Sequence, residues 1–405
     1  MSGITLSAAV RQNLLSLQDT ASLLSQTQTR LATGKKVNSA LDNPTNFFTA
    51  AGLDARASDI SNLLDSIGNG VQVLQAANTG ITSLSNLVDT AKSIANQVLQ
   101  QPVGYSTKAS ATSAAPTGAG PLSVAGSVTD LTNGGANSLQ GETFIFQGAT
   151  GSPVTITVDK AGVNSITAFN TALTNAGLGL TASLASNGSI TLTSSNDNAS
   201  QTLTLGTTAA ANNIALSGTA TLALVAAGAP VADPVSQATR ASLVAQYNQI
   251  LTQITTTAQD SSFNGVNLLN GDSLKLVFDE TGKSSVSITG VTFDPTGLGL
   301  HSLTAGSDFI DTNSANSVLT ALNTASVTLR SQASAFGANL SIVQIRQDFN
   351  KNLINVLQTG SSNLTLADSN EEAANSQALA TRQSIATSAL ALANQSQQNV
   401  LQLLR

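Results

Sequence analysis

The sequence predicts a mainly α-helical protein with some β-structure. In this fold class, both chain ends form a long antiparallel helical bundle or coiled coil with a β-hairpin, and a β-rich outer domain is inserted between the two halves. Three observations predict it: heptad patterns occupy both ends, short alternating runs occupy the middle, and apolar residues reach 41% while charged residues are only 9%. This apolar content is sufficient for packed cores.

The first predicted helix begins near residue 10 and ends at Gly34. Its apolar positions follow the spacing of three and four residues that is typical of a coiled-coil seam. These positions are Val10, Leu14, Leu17, Ala21, Leu24 and Leu31, with Gln28 at the skipped place. Gly34 suits the position with left-handed backbone conformation that follows the last turn of many helices. Lys35 and Lys36 follow it, where the helix dipole favours positive charge.

A second predicted helix begins at Asp42-Asn43-Pro44 and continues to near Pro102. Asp or Asn can cap the first amides, and proline suits the first helical position. Apolar residues spaced by three and four from Ala57 to Val98 indicate one long helix. Because glycines within it cost about 1 kcal/mol each, we expect packing partners to hold this helix.

The middle of the chain is predicted to be a separate Ser/Thr-rich β module. Only seven charged residues lie between positions 102 and 235. The predicted strands are 143–146, 154–158, 189–193 and 202–205, with a short helix over 165–175 and a hairpin turn at Asn187-Gly188. The flanks 103–125 and 206–235 are predicted to be flexible.

Helical patterns return in the last part of the chain. The predicted elements are a helix over 235–260, a hairpin over 274–289, a helix over 313–358 and a last helix over 368–405. The last helix carries an apolar line rich in alanine and serine, which favours close helix approach. The line comprises Ala378, Ile385, Ala389, Leu392, Ser396, Val400 and Leu403.

These patterns predict five segments. They are an N-terminal assembly helix and linker (1–45), the N-terminal half of a helical core (46–101), the β-rich surface insert (102–235), the C-terminal half of the core with its hairpin (236–366), and a C-terminal assembly helix (367–405).

The composition argues against several function classes. The chain has no cysteine and a single histidine, His301, and it contains no nucleotide-binding loop or nucleophile elbow, so we expect no catalytic, cofactor or metal site. A net charge of -6 without a basic stripe argues against nucleic acid. The most apolar run, 222–227, is far shorter than the roughly 20 residues that span a bilayer, and the N-terminus lacks the pattern of a cleavable signal peptide.

Both chain ends carry apolar stripes that need partners. Burial of one leucine is worth roughly 1.5 to 3 kcal/mol, so such helices would aggregate unless other copies of the chain cover them. When two different surfaces of the chain meet between copies, each added copy leaves one surface free for the next. If the rotation between copies does not close a ring, a helical filament results. We therefore expect the ends to serve self-assembly.

Three segments closely resemble the bacterial flagellins. The segment 31–42, Leu-Ala-Thr-Gly-Lys-Lys-Val-Asn-Ser-Ala-Leu-Asp, resembles their N-terminal signature; 262–271 resembles their Phe-Asn-Gly loop; and 391–405 is similar to their C-terminal ending. The residues that carry the signature and the loop are Gly34, Asn38, Ser39, Asp42, Phe263, Asn264 and Gly265.

The resemblance implies a subunit of the bacterial flagellar filament that serves swimming motility. It implies that the terminal helices, including Leu404 and Arg405, pair in an inner tube, and that the insert projects outward. It also implies unfolded export through the flagellar type III channel to the cell exterior, with an export chaperone, the cap and the hook-filament junction proteins as partners. Asn43-Pro44 departs from the usual flagellin sequence, so a junction protein is an alternative. A second alternative is a surface adhesin whose binding activity is carried by the insert.

Overall fold

The computed structural model describes residues 8–114, 131–132, 139–147, 152–185, 189–205, 213–218 and 224–403. These residues fold as two compact units. Unit 1 contains the described residues up to 71, residues 275–287 and the described residues from 340 onward. Unit 2 contains the described residues of 72–274 together with 288–339.

The helical elements agree with the sequence prediction. The described helices are α1 (Ala8–Thr33), α2 (Pro44–Gln100), α3 (Ile166–Asn175), α4 (Pro234–Asp260), α5 (Thr312–Thr365) and α6 (Ser369–Leu403). Helix α5 continues seven residues past its predicted end at 358. The reason is that the last buried positions of α5, Ser361 and Thr365, are polar and give no apolar signal in the sequence.

The predicted stripe of α2 forms the buried side of that helix. Its residues lie at the predicted spacing, with Leu64 and Asn78 half-buried and the others buried. The buried members are Ala57, Ile60, Ile67, Val71, Leu74, Ile81, Leu84, Val88, Ala91, Ala95 and Val98. In unit 1, Ala57 and Ile60 form a core cluster with Leu357 of α5.

A β-hairpin packs on the helices of unit 1. Its strands are β11 (Ser273–Val277) and β12 (Ser285–Thr289). The carbonyl oxygen of Phe278 accepts a hydrogen bond of 2.9 Å from the buried Asn350 side chain, and Arg56 Nε lies 2.7 Å from Glu280 Oε1. These contacts attach the turn side of the hairpin to α5 and α2.

Gly70 is needed because the hairpin approaches α2 closely. A Cβ atom at Gly70 would lie 2.4 Å from Cδ2 of the buried Leu276, whereas the nearest atom to a Cβ at Gly68 is 4.0 Å away. Of these two neighbouring glycines, only Gly70 therefore makes room for a side chain.

The insert contains ten of the strands, labelled in chain order. They are β1 (Tyr105–Thr107), β2 (Ser110–Ser113), β3 (Thr143–Gln147), β4 (Val154–Thr157), β5 (Leu180–Leu184), β6 (Ile190–Ser194), β7 (Thr202–Leu205), β8 (Asn213–Gly218), β9 (Leu224–Gly228) and β10 (Val231–Ala232). One four-stranded sheet has the order β5-β6-β2-β9 and is antiparallel throughout. The second has the order β4-β3-β8-β7, in which β7 and β8 are parallel. Phe144, Phe146 and Phe169 lie in their shared core.

The prediction of flexible flanks is wrong where the structure describes them. Strand β2 lies inside a sheet between β6 and β9, and β1 pairs with β10. The inward residues next to and within β2 are Ala109, Ala111 and Ser113, all buried. Alanine has low strand propensity, so these flanks gave no strand signal. The predicted turn Asn187-Gly188 lies outside the described residues, although β5 and β6 on either side of it pair antiparallel.

A buried arginine binds the backbone at the point where the insert leaves the helical core. The Arg240 guanidinium donates to the carbonyl oxygens of Val98, Gln101 and Pro102 at 2.7 to 3.1 Å, and also to that of Phe309. A cation at this position favourably meets the negative end of α2. Burial lowers the pKa of Arg240, and its many hydrogen bonds compensate for lost hydration.

A second contact fixes the insert to the start of α5. The backbone amides of Thr312 and Asn313 donate to the carbonyl oxygens of Asn196 and Asp197 in the insert, at 3.1 and 3.3 Å. Beside them the Asp311 carboxylate accepts a 2.6 Å hydrogen bond from the Ser200 hydroxyl. Within unit 2, the insert is therefore joined to the helical elements by more than its two chain connections.

Replacement of the two α2 glycines tests this packing. Gly68→Ala gains helix propensity of about 1 kcal/mol, whereas Gly70→Ala must also displace Leu276, at a cost of about 1 to 3 kcal/mol. We expect the free energy of unfolding of Gly70→Ala to lie below that of Gly68→Ala by about this cost, measured by urea denaturation of the monomers. Equal stability of the two variants would contradict the close contact.

The two tyrosines of the chain give a pH-dependent prediction. Burial raises the pKa of Tyr247 to about 12, and burial together with the charge of Asp311 raises the pKa of Tyr105. A tyrosine whose pKa is raised by folding stabilises the native state at pH values below its pKa in the unfolded chain, which is about 10. This stabilisation is lost as the pH rises toward 12. Ultraviolet titration should show phenolate formation in the native protein only above the pH at which the urea-unfolded chain ionises. Coincident titration curves would show that the rings are solvated.

Candidate functional site

The candidate site is the surface formed by α1, α6 and the linker loop, residues 34–43. Helices α1 and α6 pack along each other. The backbone amide of Lys36 donates to the carbonyl oxygen of Thr365 at 2.7 Å, and that of Ala367 donates to Gly34 at 3.0 Å. Because the end of α1 thus lies beside the start of α6, the two terminal helices run antiparallel.

The linker loop brings together the four signature residues predicted from its sequence. Gly34 has a φ of +70° and ends α1. One Asp42 carboxylate oxygen accepts from the backbone amides of Asn38 and Ser39 at 3.0 and 2.9 Å, and from the Ser39 hydroxyl at 3.1 Å. Asp42 therefore orders this loop, while Asn43 caps α2 through a 3.0 Å bond from the amide of Asn46.

These hydrogen bonds shape the electrostatics of the loop. The backbone amides of Asn38 and Ser39 favour the charged carboxylate and hold the pKa of Asp42 below its usual value of 3.8. The neighbouring Leu41 is 96% exposed. An ordered loop therefore holds an apolar side chain out into solvent.

The inner row of α1 contains most of the predicted seam. Val10 is buried, and the next four predicted residues are half-buried: Leu14, Leu17, Ala21 and Leu24. Beyond Leu24 the row continues through the buried Thr27 and the half-buried Arg30, whereas Leu31 is 44% exposed. After Leu24 the row takes two steps of three residues instead of following the heptad, and Leu31 therefore lies outside it. The role of Leu31 in assembly stays a prediction.

The inner row of α6 lies one residue away from the predicted apolar line. Between 372 and 396, the residues with side chains described as buried or half-buried follow a strict spacing of four and three. They are Glu372, Ser376, Leu379, Gln383, Ala386, Leu390 and Ala393. The predicted line occupies the adjacent exposed face, with Ile385 at 63% and Leu392 at 71% exposure and Ala389 also exposed. Helix α6 thus has two neighbouring apolar faces, and α1 covers only one.

Part of the predicted assembly surface cannot be described. The side chains of Val400 and Leu403, and the whole of Leu404 and Arg405, lie outside the described part of the chain. Their role in assembly stays a prediction.

The unit 1 part of α5 carries a second open apolar face that the sequence reasoning missed. It consists of Ile342, Ile345, Phe349 and Val356, all exposed and spaced by three, four and seven residues. The buried apolar residues of the same part of α5, Val343 and Leu357, lie on a different side. The heptad spacing was available in the sequence, but a long helix with two apolar stripes shows no single clear period.

The predicted Phe-Asn-Gly motif forms a tight turn in unit 2. Phe263 and Val266 exchange backbone hydrogen bonds of 3.0 Å across Asn264 and Gly265, whose φ angles are +50° and +79°. Both central residues are left-handed, as a type I′ turn requires. Next to the turn the buried Asn267, which the sequence reasoning did not select, donates to the last carbonyl groups of α4.

Chemical site features are sparse in the part of the chain that the structure describes. Its acidic and histidine side chains form no group suited to a metal ion. His301 is exposed in a loop. Among the described helices, none has the length and apolarity needed to cross a membrane.

The architecture defines a class of mainly α-helical proteins in which the first and last described helices, α1 and α6, pair with each other. Comparison with known families gives the particular one. The bacterial flagellin N-terminal helical region matches residues 4–115, and the bacterial flagellin C-terminal helical region matches residues 319–404. By both of these regions, the chain belongs to the bacterial flagellin family. The Phe-Asn-Gly turn lies between the two matched regions.

Curated relatives agree with this family. Flagellin FljM of Caulobacter vibrioides is 32% identical over 165 residues, which cover 40% of this chain and 59% of FljM. Flagellin FljO of the same organism is 30% identical over 172 residues, which cover 42% of this chain and 62% of FljO. The alignments thus span about three-fifths of the length of these relatives.

A solved structure also matches, at low similarity. It contains the D1-D2-D3 domains of the flagellar cap protein FliD from Escherichia coli, and the match covers 67% of this chain and 99% of that one. The sequence identity is 13% and the TM-score is 0.16.

Proposed function

We propose that this protein is a structural subunit that polymerises through its terminal regions into the bacterial flagellar filament and serves swimming motility. The proposal rests on the distribution of the large exposed apolar side chains between the two units. Of the seventeen large exposed hydrophobic residues in the described chain, twelve lie in unit 1, which contains α1, α6 and the linker loop.

The distribution of these residues supports an assembly role. Leu15, Leu23, Ile385 and Leu392 lie on the terminal helices, and the stripe that includes Ile345 lies on α5. Contiguous exposed apolar surface is typical of interaction sites. Contacts with neighbouring copies of the chain would bury this apolar surface. When such a contact joins two different faces and repeats from copy to copy, it produces a filament.

The predicted domain division belongs to this proposal. In it, 1–45 and 367–405 are assembly segments, 46–101 and 236–366 are the two halves of the helical core, and 102–235 is the outward insert. The clear helical ends at Gln100 and Pro234 support the limits of the insert.

Partners and location follow from the same proposal. The main partner is another copy of the chain, and the export chaperone, the cap and the hook-filament junction proteins are further partners. We place the protein in the extracellular filament after type III export and assign it a structural, non-enzymatic role without a cofactor. We propose no contact with nucleic acid or membrane. Apart from Asn43-Pro44, no observation above favours the junction protein, and none favours the adhesin.

Substitutions at exposed residues test the assembly surface without disturbing the fold. Ile345→Ser and Ile385→Ser each remove an apolar group worth roughly 1.5 to 3 kcal/mol if neighbouring copies bury it. Because 1.4 kcal/mol is a tenfold change, we expect each to raise the critical concentration for seeded polymerisation about tenfold or more. Sedimentation of filaments from purified monomer measures this concentration, and electron microscopy identifies the filaments.

Val235→Ser is the control, because Val235 is also β-branched and apolar and is 76% exposed but lies in unit 2. It should polymerise like the parent, and all three variants should keep the parent's thermal stability. The parent gene should also restore swimming to a strain that lacks its own filament protein. Failure of the parent to form filaments, or an equal effect of all three substitutions, would contradict the proposal.

A further inference from the structure

An ion pair joins the two terminal helices. Arg30 Nη1 lies 3.2 Å from Glu372 Oε1, and the Glu372 side chain is only 10% exposed. The Nε atom of Arg30 is buried, and within the described part of the chain it has no hydrogen-bond partner. Each charge is therefore partly removed from water and depends on the other.

The apolar residues between these helices specify their alignment only weakly. The inner row of α1 repeats every seven residues through Val10, Leu17 and Leu24, and that of α6 repeats through Leu379, Ala386 and Ala393. A slide by one heptad, about 10.5 Å, would again place small or apolar residues opposite one another. Small side chains such as alanine discriminate little between these alignments.

Along the helices the charged residues distinguish the two alignments, in addition to the backbone hydrogen bonds that join Lys36 to Thr365 and Ala367 to Gly34 at the helix ends. In the inner rows described by the structure, Arg30 and Glu372 are the charged members. The other charged residues of the two helices are exposed: Arg11, Asp19, Glu371 and Arg382. A slide by one heptad would separate the ion pair and leave two partly buried charges opposite uncharged residues, which is strongly unfavourable.

We propose that the Arg30–Glu372 ion pair fixes the register of the terminal helix pair. It excludes slipped alignments that the apolar rows would tolerate, in the way that a single polar position sets coiled-coil register. This inference rests on the proposed function, because correct register matters where the terminal helices of many copies assemble. Arg30 and Glu372 are positioning residues in this role.

The helix ends also favour this polarity of the pair. Arg30 lies in the last turn of α1 and Glu372 in the first turn of α6. Positive charge is favoured at a helix C-terminus and negative charge at an N-terminus, so reversing both charges would oppose two helix dipoles. Methionine is therefore the better test residue, because it keeps side-chain length and removes charge.

The first measurement is polymerisation of full-length Arg30→Met, Glu372→Met and the double variant. Each single variant leaves one charge without its partner and should raise the critical concentration about tenfold. The double variant removes both charges, and similar apolar replacements of ion pairs often preserve stability. It should therefore recover most of the loss, and a double variant as poor as either single one would overturn the proposal.

The second measurement reports register directly and uses the absence of cysteine from the chain. Counted along each helix from the ion pair, Leu17 faces the inner-row position Ala386. Leu17→Cys with Ala386→Cys therefore reports the native register, and Leu17→Cys with Leu379→Cys or Ala393→Cys reports a slip of one heptad. Oxidation of assembled protein and gel mobility measure the disulfide within each chain.

In the parent background, only the native-register pair should cross-link efficiently. In the double methionine background, the slipped pairs should gain cross-linking until they approach the native pair. A double methionine variant that retains the parent's preference would overturn the proposal, even if it polymerises normally. Failure of the parent to polymerise would instead contradict the proposed function, so the two failures are distinguishable.

Discussion

The structure depends on one constraint: several helices of unit 1 have more apolar faces than the chain has neighbours to cover them. Helix α6 turns one face to α1 and leaves Ile385 and Leu392 exposed. Helix α5 packs Leu357 against α2 and leaves Ile345 and Phe349 exposed. Long helices with few charges are stabilised mainly by packing, so these open faces require partners outside the chain.

Unit 2 covers its own apolar residues much more fully, with only five of the seventeen large exposed hydrophobic residues of the described chain. The insert has an aromatic core around Phe144 and Phe169, and Arg240 binds four carbonyl groups where the insert leaves α2. Asp311 connects the insert to the start of α5 through Ser200. This difference between the units separates the open apolar faces of unit 1 from the internally packed insert.

The elements that could be predicted from the sequence are those with regular apolar spacing and clear cap or turn residues at their ends. The α2 stripe could be predicted because apolar spacing, Asn43 and Pro44 all point to the same helix, and the hairpin because two short strand-like runs lie close together in the sequence. The inner row of α6 could not, because neighbouring lines of alanine and leucine differ by one residue and only the position of α1 chooses between them. Strand β2 was missed because its inward residues, Ala111 and Ser113, carry no strand preference. Arg240 and Asn267 were missed because capping by distant side chains leaves no local pattern.

Residue-resolved hydroxyl-radical labelling of monomer and filament is the most direct test of the central claim. The claim is that association covers the open apolar faces of unit 1. It predicts that Ile345, Phe349, Ile385 and Leu392 become strongly protected in the filament, while the exposed Val231 and Val235 of unit 2 are labelled as in the monomer. Equal labelling of the four unit 1 residues in monomer and filament would contradict the account.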